Sequence, residues 1–151
     1  MIKTVIIGFG NVGFHLAKAC KLANEIDLLQ IYNRSEVEAN EQKEIGVEFI
    51  SNFKLLKKAD VYIVSVKDDV VANVVQQIPF ANKIVAHTSG SLQLLNTKQN
   101  DAVFYPLQTF SKNKQLNYKT IPICLEANQK KTFTTLEKMA KSISPNVYSI
   151  S

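Results

Sequence analysis

Three glycines mark the first place where this sequence could do chemistry. Gly8, Gly10 and Gly13, in Gly8-Phe9-Gly10-Asn11-Val12-Gly13, follow a short apolar run from Val5 to Ile7. A helical pattern begins at once, with Val12, Leu16, Ala19, Cys20 and Ala23 on one face. In a strand–turn–helix of this spacing each glycine has its own task. Gly8 permits the tight exit from the strand, Gly10 lets the backbone approach a pyrophosphate with no side chain between, and Gly13 lets the helix lie close against the strand. The free N–H groups from Phe9 through Asn11 and Val12 then face the phosphates, aided by the helix dipole. Alone, a G-x-G-x-x-G triplet is a weak signal, because glycine-rich turns are common. Set between a strand and a helix, near the N-terminus, it reads as a dinucleotide-binding turn.

The second such place is Asn33-Arg34-Ser35, about 20 residues beyond the glycines. NAD sites carry a carboxylate there, at the end of the second strand, to hold the ribose 2′-hydroxyl. This stretch has none. Arg34 is instead the only arginine in the chain, and a guanidinium can clamp a 2′-phosphate and stack on adenine. Asn33 and Ser35 add neutral donors, with Ser35 at the start of the next helix. The exchange of charge points to NADP (NADPH) as the cofactor, with NAD disfavoured.

Three further strand ends carry polar groups. Ser65-Val66-Lys67 would pass its backbone beside the nicotinamide-side ribose, and Lys67 either reaches phosphate or ribose or faces solvent. In His87-Thr88-Ser89-Gly90-Ser91, His87 and Ser89 are candidate catalytic groups, and Thr88 and Gly90 candidate substrate contacts. The histidine could move a proton during hydride transfer. Equally, it could be a buried, hydrogen-bonded residue, with Ser91 as a helix cap. The sequence contains no G-x-S-x-G nucleophile elbow, so a Ser-His hydrolase is not indicated. In Tyr105-Pro106-Leu107-Gln108-Thr109-Phe110-Ser111, Gln108 and Thr109 could point into the same crevice with Phe110 covering it. The alternative is a proline-stopped strand whose aromatic packs on the core.

The elements that must position these groups alternate strand and helix. Strands are predicted at 27–33, 47–50, 60–66, 83–87 and 102–105, after the first at 5–7. A polar helix capped by Ser35-x-x-Glu38 is predicted to close at Gly46. A short helix is expected at 53–58, another capped by Asp68 or Asp69 with Val71, Val74, Val75 and Ile78 inside, and a third short one from Ser91. A strand at 120–125, an amphipathic helix at 128–143 and a strand at 146–150 complete the chain. Such alternation predicts an α/β, Rossmann-like, doubly wound and mostly parallel sheet of about seven or eight strands with helices on both faces. Ligands then lie beyond the carboxyl ends of the strands. The connection from 107 to 119 is long for a compact domain, which favours a functional or mobile role.

The totals narrow the class. The 151 residues suffice for one domain, and no apolar run approaches the roughly 20 residues that cross a bilayer. No cleavable signal pattern precedes the first strand. Cys20 and Cys124 read as reduced core residues of a cytoplasmic protein, without metal-ligand spacing. The net charge of +5 comes from lysines scattered along the chain, which does not describe a nucleic-acid groove. The expected partners are a small-molecule substrate of unknown identity, with no nucleic acid, membrane or metal.

Taken together, the glycine motif, Asn33-Arg34-Ser35, His87-Thr88-Ser89-Gly90-Ser91 and Tyr105-Pro106-Leu107-Gln108-Thr109-Phe110-Ser111 resemble a bacterial family of Rossmann-like proteins with an appended helical domain of unknown function. That family is similar to NADP-dependent reductases of the pyrroline-5-carboxylate reductase and 6-phosphogluconate dehydrogenase type. The resemblance spans the whole chain and implies NADP at the first turn. It also implies a substrate crevice against a C-terminal helical domain that makes a homodimer. Residues 1–151 correspond to the dinucleotide-binding domain, and the helical domain is absent. The chain alone is therefore expected to bind cofactor without turnover. Two functions stay open: an oxidoreductase passing hydride between NADPH and a small carbonyl or imine, and a non-catalytic NADP-binding regulatory or redox-sensing module.

Overall fold

In the computed structural model, residues 1–150 are described. The uniformly apolar runs form the central strands because each is buried on both faces, as parallel strands under helices must be. β1 (Ile2–Ile7) and β4 (Val61–Val64) are the clearest cases, with Val5, Ile6, Ile7 and all four residues of β4 wholly buried. With β2 (Ile26–Tyr32), β3 (Glu48–Ile50), β5 (Ile84–His87), β6 (Asn100–Pro106), β7 (Ile123–Ala127) and β8 (Val147–Ser149) they form one sheet. Its order is β3-β2-β1-β4-β5-β6-β7-β8. Pairing is parallel except between β6 and β7. The order reverses between β1 and β4, so the switch-point crevice opens above the ends of those two strands.

The core lies in two layers. Helices α1 (Asn11–Leu22), α2 (Ala39–Ile45) and α4 (Lys130–Ile143) cover one face of the sheet over Ile6, Ile31, Ile63, Phe104 and Leu125. On the other face, α3 (Val71–Gln76) and the turns around 53–55 cover Val5, Ile7, Tyr62, Val64 and Val85. Cys20 is buried within the first layer, where loss of solvation pushes its thiol up to about 12 and suppresses the thiolate.

Three local expectations change. Ser35 does not cap α2: the helix starts four residues later, behind Glu38, because Ser35 is occupied as an acceptor for the Asn33 amide. No helix starts at Ser91; residues 88–99 are an irregular crossover, held by a turn in which the Ser89 hydroxyl accepts from the N–H groups of Ser91 and Leu92. Neither Asp68 nor Asp69 caps α3, since a 3-10 turn over Asp68–Val70 precedes it and Asp68 accepts from the Ser91 hydroxyl instead.

Helix α1 is buried more widely than its apolar stripe predicts. Phe14 and His15 are buried as well, because the segment 107–119 lies across its outer side. His15 is the anchor, at 2% exposure. The Ser111 carbonyl can only accept, so His15 Nε2 donates to it at 2.6 Å, and Nδ1 accepts from the Tyr118 hydroxyl at 2.8 Å. The Phe110 ring lies 5.5 Å from the imidazole, and Lys112 reaches Glu41 of α2 at 3.1 Å. His15→Leu leaves the Ser111 carbonyl and the Tyr118 hydroxyl without their partner, for an expected loss of about 1–3 kcal/mol. Urea unfolding measures the loss, and hydrogen exchange should quicken over 110–118 while β1 and β4 stay protected.

Candidate functional site

The turn after β1 is shaped by two glycines and opened by the third. Gly8 has φ +110°, a region that L side chains rarely adopt, and a Cβ there would strike the Ser65 carbonyl. A Cβ on Gly13 would strike the carbonyl of Gly8, so helix and turn touch backbone to backbone. Gly10 is different: a Cβ there would meet nothing within 4 Å. It is the N-cap of α1, with no side-chain hydrogen bond, so the first-turn N–H groups are not covered by a side-chain cap. An open, side-chain-free helix start beside the switch point is a cradle that fits a pyrophosphate.

The end of β2 is pinned to this turn. The Phe9 N–H donates to Asn33 Oδ1 at 3.1 Å, so this amide is spoken for and the phosphate-facing donors begin after it. Phe9 itself is buried edge-on against Phe14 and Phe49. The Asn33 N–H donates to the Ile50 carbonyl at 2.9 Å, and its side-chain amide reaches Ser35. Asn33 therefore organises the loop, while Arg34 and Ser35 are exposed on its outer side. Arg34 makes no ion pair among the described residues, leaving the guanidinium available for an anion.

At the end of β4, Ser65 is buried beneath Gly8, and Val66 packs at its edge. Lys67 is exposed. At the end of β5, His87 is 2% exposed. Its Nδ1 accepts from the Ser89 N–H at 3.1 Å, so Nε2 carries the proton that it gives to the Gln93 carbonyl at 3.0 Å. Both ring nitrogens thus shape the crossover, the second of the two readings open for this residue. Thr88 and Ser89 are half-buried, and Gly90 is exposed. The Ser91–Asp68 hydrogen bond, 2.9 Å, ties this loop to the end of β4.

Beyond β6, Gln108 and Thr109 are exposed, but Phe110 does not cover the crevice. It turns to His15 on the far side of α1. Lys112, which no motif marks, lies with its ammonium 4.9 Å from the Phe9 ring centre. The spacing of the glycines gave no sign of it, because the contact depends on how a long loop folds back. His15 was hidden for the same reason, as a polar residue inside a helix whose apolar stripe looked complete.

The polar strand ends converge where the doubly wound sheet places ligands. A cavity of about 470 Å³ lies elsewhere, lined by residues such as Val75, Phe80, Thr97 and Lys98, ahead of β5 and β6 and so at the opposite end of the sheet. Its position removes it from the glycine turn. Among the described residues no group of three His, Cys, Asp or Glu could hold a metal, and no helix is long and apolar enough to cross a membrane.

Comparison with known proteins agrees with this geometry. Residues 3–89 match the family model described as NADP oxidoreductase, coenzyme F420-dependent. A candidate NADP oxidoreductase from Bacteroides fragilis is 31% identical, with a TM-score of 0.88 over 99% of this chain and 61% of its own. The pyrroline carboxylate reductase of Plasmodium falciparum, solved with NADP bound, is 18% identical with a TM-score of 0.75, covering 99% of this chain and 58% of its own. A prephenate dehydrogenase from A. aeolicus, solved with NAD+, is 15% identical with a TM-score of 0.77, over 100% and 60% respectively. The last two share the fold. No curated protein sequence matches the chain.

Proposed function

This chain belongs to the NADP oxidoreductase, coenzyme F420-dependent family, and from that premise we propose that it holds NADP(H) for hydride transfer to or from a small carbonyl or imine. The observation that carries the proposal is Gly10, whose missing side chain opens onto free space at the start of α1 while Gly8 and Gly13 close the turn beneath. Membership of the family assigns a nicotinamide dinucleotide. The choice of NADP over NAD rests on Arg34, exposed and without an ion pair among the described residues, where a carboxylate would otherwise hold the ribose.

When bound, the nicotinamide supplies or accepts the hydride; the rest is done by the chain. The first turn of α1 would hold the pyrophosphate through backbone N–H groups, and Arg34 with Ser35 would meet the 2′-phosphate. The backbone of Ser65 and Val66 would face the ribose nearest the reacting ring. Thr88, Ser89 and Gly90, with Gln108 and Thr109, form the substrate side, and His87 holds that loop in shape from below.

The chain spans 61% of the length of the B. fragilis protein. We infer that a helical domain completes the substrate crevice and makes the dimer in the whole protein. Fluorescence titration with NADPH tests the first part of the proposal: a saturable signal is expected with this chain alone. Loss of absorbance at 340 nm, with the whole protein and a panel of carbonyl and imine compounds, tests the second. A chain that leaves NADPH fluorescence unchanged at millimolar concentrations would overturn the reading.

A further inference from the structure

If hydride is delivered in this crevice, a carbonyl oxygen or imine nitrogen must gain a proton, and His87 does not offer one. Its Nε2 hydrogen is spent on the Gln93 carbonyl, and the ring is buried. The Ser91 hydroxyl is spent on Asp68. Serine and threonine hydroxyls are also much weaker acids than a phenol. Two phenols stand at these strand ends: Tyr32 ends β2 with its ring stacked on Phe53 at 4.0 Å, beside β3, and only Tyr105 stands beside the β5 end. Tyr105 is the penultimate residue of β6, and its ring lies directly on Gly90: a Cβ on that glycine would fall onto Tyr105 Cζ, Cε2 and Oη. The absence of a side chain at position 90 is what admits the phenol to the tip of the Ser89–Ser91 turn.

Two other tyrosines show what a structural hydroxyl looks like here. Tyr62 donates to the Lys57 carbonyl and accepts from the Ala59 N–H, and Tyr118 is bonded to His15. The Tyr105 hydroxyl has no such partner among the described residues, although the residue is half-buried. Its location is also unusual. Tyr105 pairs with Cys124 across β6 and β7, so it shares a face with that thiol and with Glu126, two pairs along the ladder. On this face α3 and the 88–99 crossover cover the middle of the sheet, while Tyr148 of β8 is 54% exposed. The phenol therefore sits at the corner where the crevice meets an open approach.

We propose that the Tyr105 hydroxyl is the proton donor of this site, facing the nicotinamide end of the bound dinucleotide. The inference rests on the function proposed above. Hydride adds to the carbonyl or imine carbon, the π pair of the C=O or C=N bond takes the phenol proton to form an O–H or N–H bond, and the dinucleotide leaves oxidised. The tyrosinate regains its proton from water. In the reverse direction the same oxygen, deprotonated, accepts the proton of an alcohol or amine.

The test needs no substrate. The oxidised nicotinamide ring carries a positive charge that the reduced ring lacks, and a phenol beside it ionises more readily. Protein labelled with 13C at tyrosine Cζ, its Tyr105 signal assigned by Tyr105→Phe, is titrated through pH 8–11 alone, with NADP+ and with NADPH. Saturating NADP+ should lower the Tyr105 midpoint by about half a unit or more, NADPH should not, and the other tyrosines should move little. Tyr105→Phe should bind both forms within about twofold of the parent, as a group that does not hold the cofactor. If both forms bind and the Tyr105 midpoint is the same in each, the inference fails while the cofactor site stands. If neither binds, the site and the inference fall together.

Discussion

Gly8→Ala is expected to cost about 2–6 kcal/mol and to abolish dinucleotide binding, whereas Gly10→Ala should leave the fold nearly untouched. At position 8 the backbone sits at φ +110°, where a side chain strains the chain by about 1–3 kcal/mol. The new methyl also meets the Ser65 carbonyl, which is backbone and cannot swing aside. Displacing packed backbone adds about 1–3 kcal/mol more. Against the ~5–15 kcal/mol that holds a typical domain together, this is severe. At position 10 the methyl meets nothing, and φ of −79° suits any residue, so stability should change by less than about 1 kcal/mol. The methyl would occupy the space proposed for the phosphates, however, and NADPH affinity should fall about tenfold or more. Thermal unfolding and NADPH fluorescence, run on both variants, separate the glycine that builds the turn from the glycine that admits the ligand.

Arg34→Ala should raise the dissociation constant for NADP by about 10- to 100-fold and leave that for NAD within about twofold. The asymmetry follows from where the guanidinium stands. Asn33 is consumed in holding the loop, through Phe9, Ile50 and Ser35, so removing the neighbouring side chain should not disturb it. On the proposed reading the 2′-phosphate of NADP would lose its charged partner, whereas the NAD ribose would have none to lose. Raising the salt concentration should erode the parent's preference for NADP in the same direction, as expected for a contact made at an exposed site. Calorimetry with both dinucleotides measures all of this. Equal affinity of the parent protein for NADP and NAD would remove Arg34 from the account.

Much of this architecture was legible in the residues because the strands are simple objects. Val61 to Val64 is too uniformly apolar for a strand with a wet face, and it lies wholly buried at the centre of the sheet. The glycine spacing carried the turn as well, since each glycine answers a local steric demand that pattern reading can state. What failed was local chemistry with a competitor. Ser35-x-x-Glu38 has the form of a helix cap, but the Asn33 amide claims Ser35 first, and α2 begins further on. The Ser89–Ser91 cluster has the composition of a helix start but bonds within its own turn.

The substrate side was the least legible part. His87 was open to two readings, a proton carrier or a buried, hydrogen-bonded residue; its two backbone partners, two and six residues on, become visible only when the crossover is folded. Tyr105 heads a motif but was given no role, since its relation to Gly90 spans fifteen residues and two strands. His15 was read past inside an apolar helix, although a buried histidine needs partners for both nitrogens and so implies a segment folded over it. That requirement was the signal that could have tied the 107–119 segment to α1.

The seat of the dinucleotide is most directly tested by amide NMR of 15N-labelled protein titrated with NADPH. Saturable shifts should be largest at Gly10, Asn11, Val12 and Gly13, followed by Arg34 and Ser35, while residues lining the cavity ahead of β5 and β6, such as Phe80 and Lys98, should barely move. Shifts concentrated around Phe80 and Lys98, with the amides of Gly10 to Gly13 unmoved at saturation, would contradict the account.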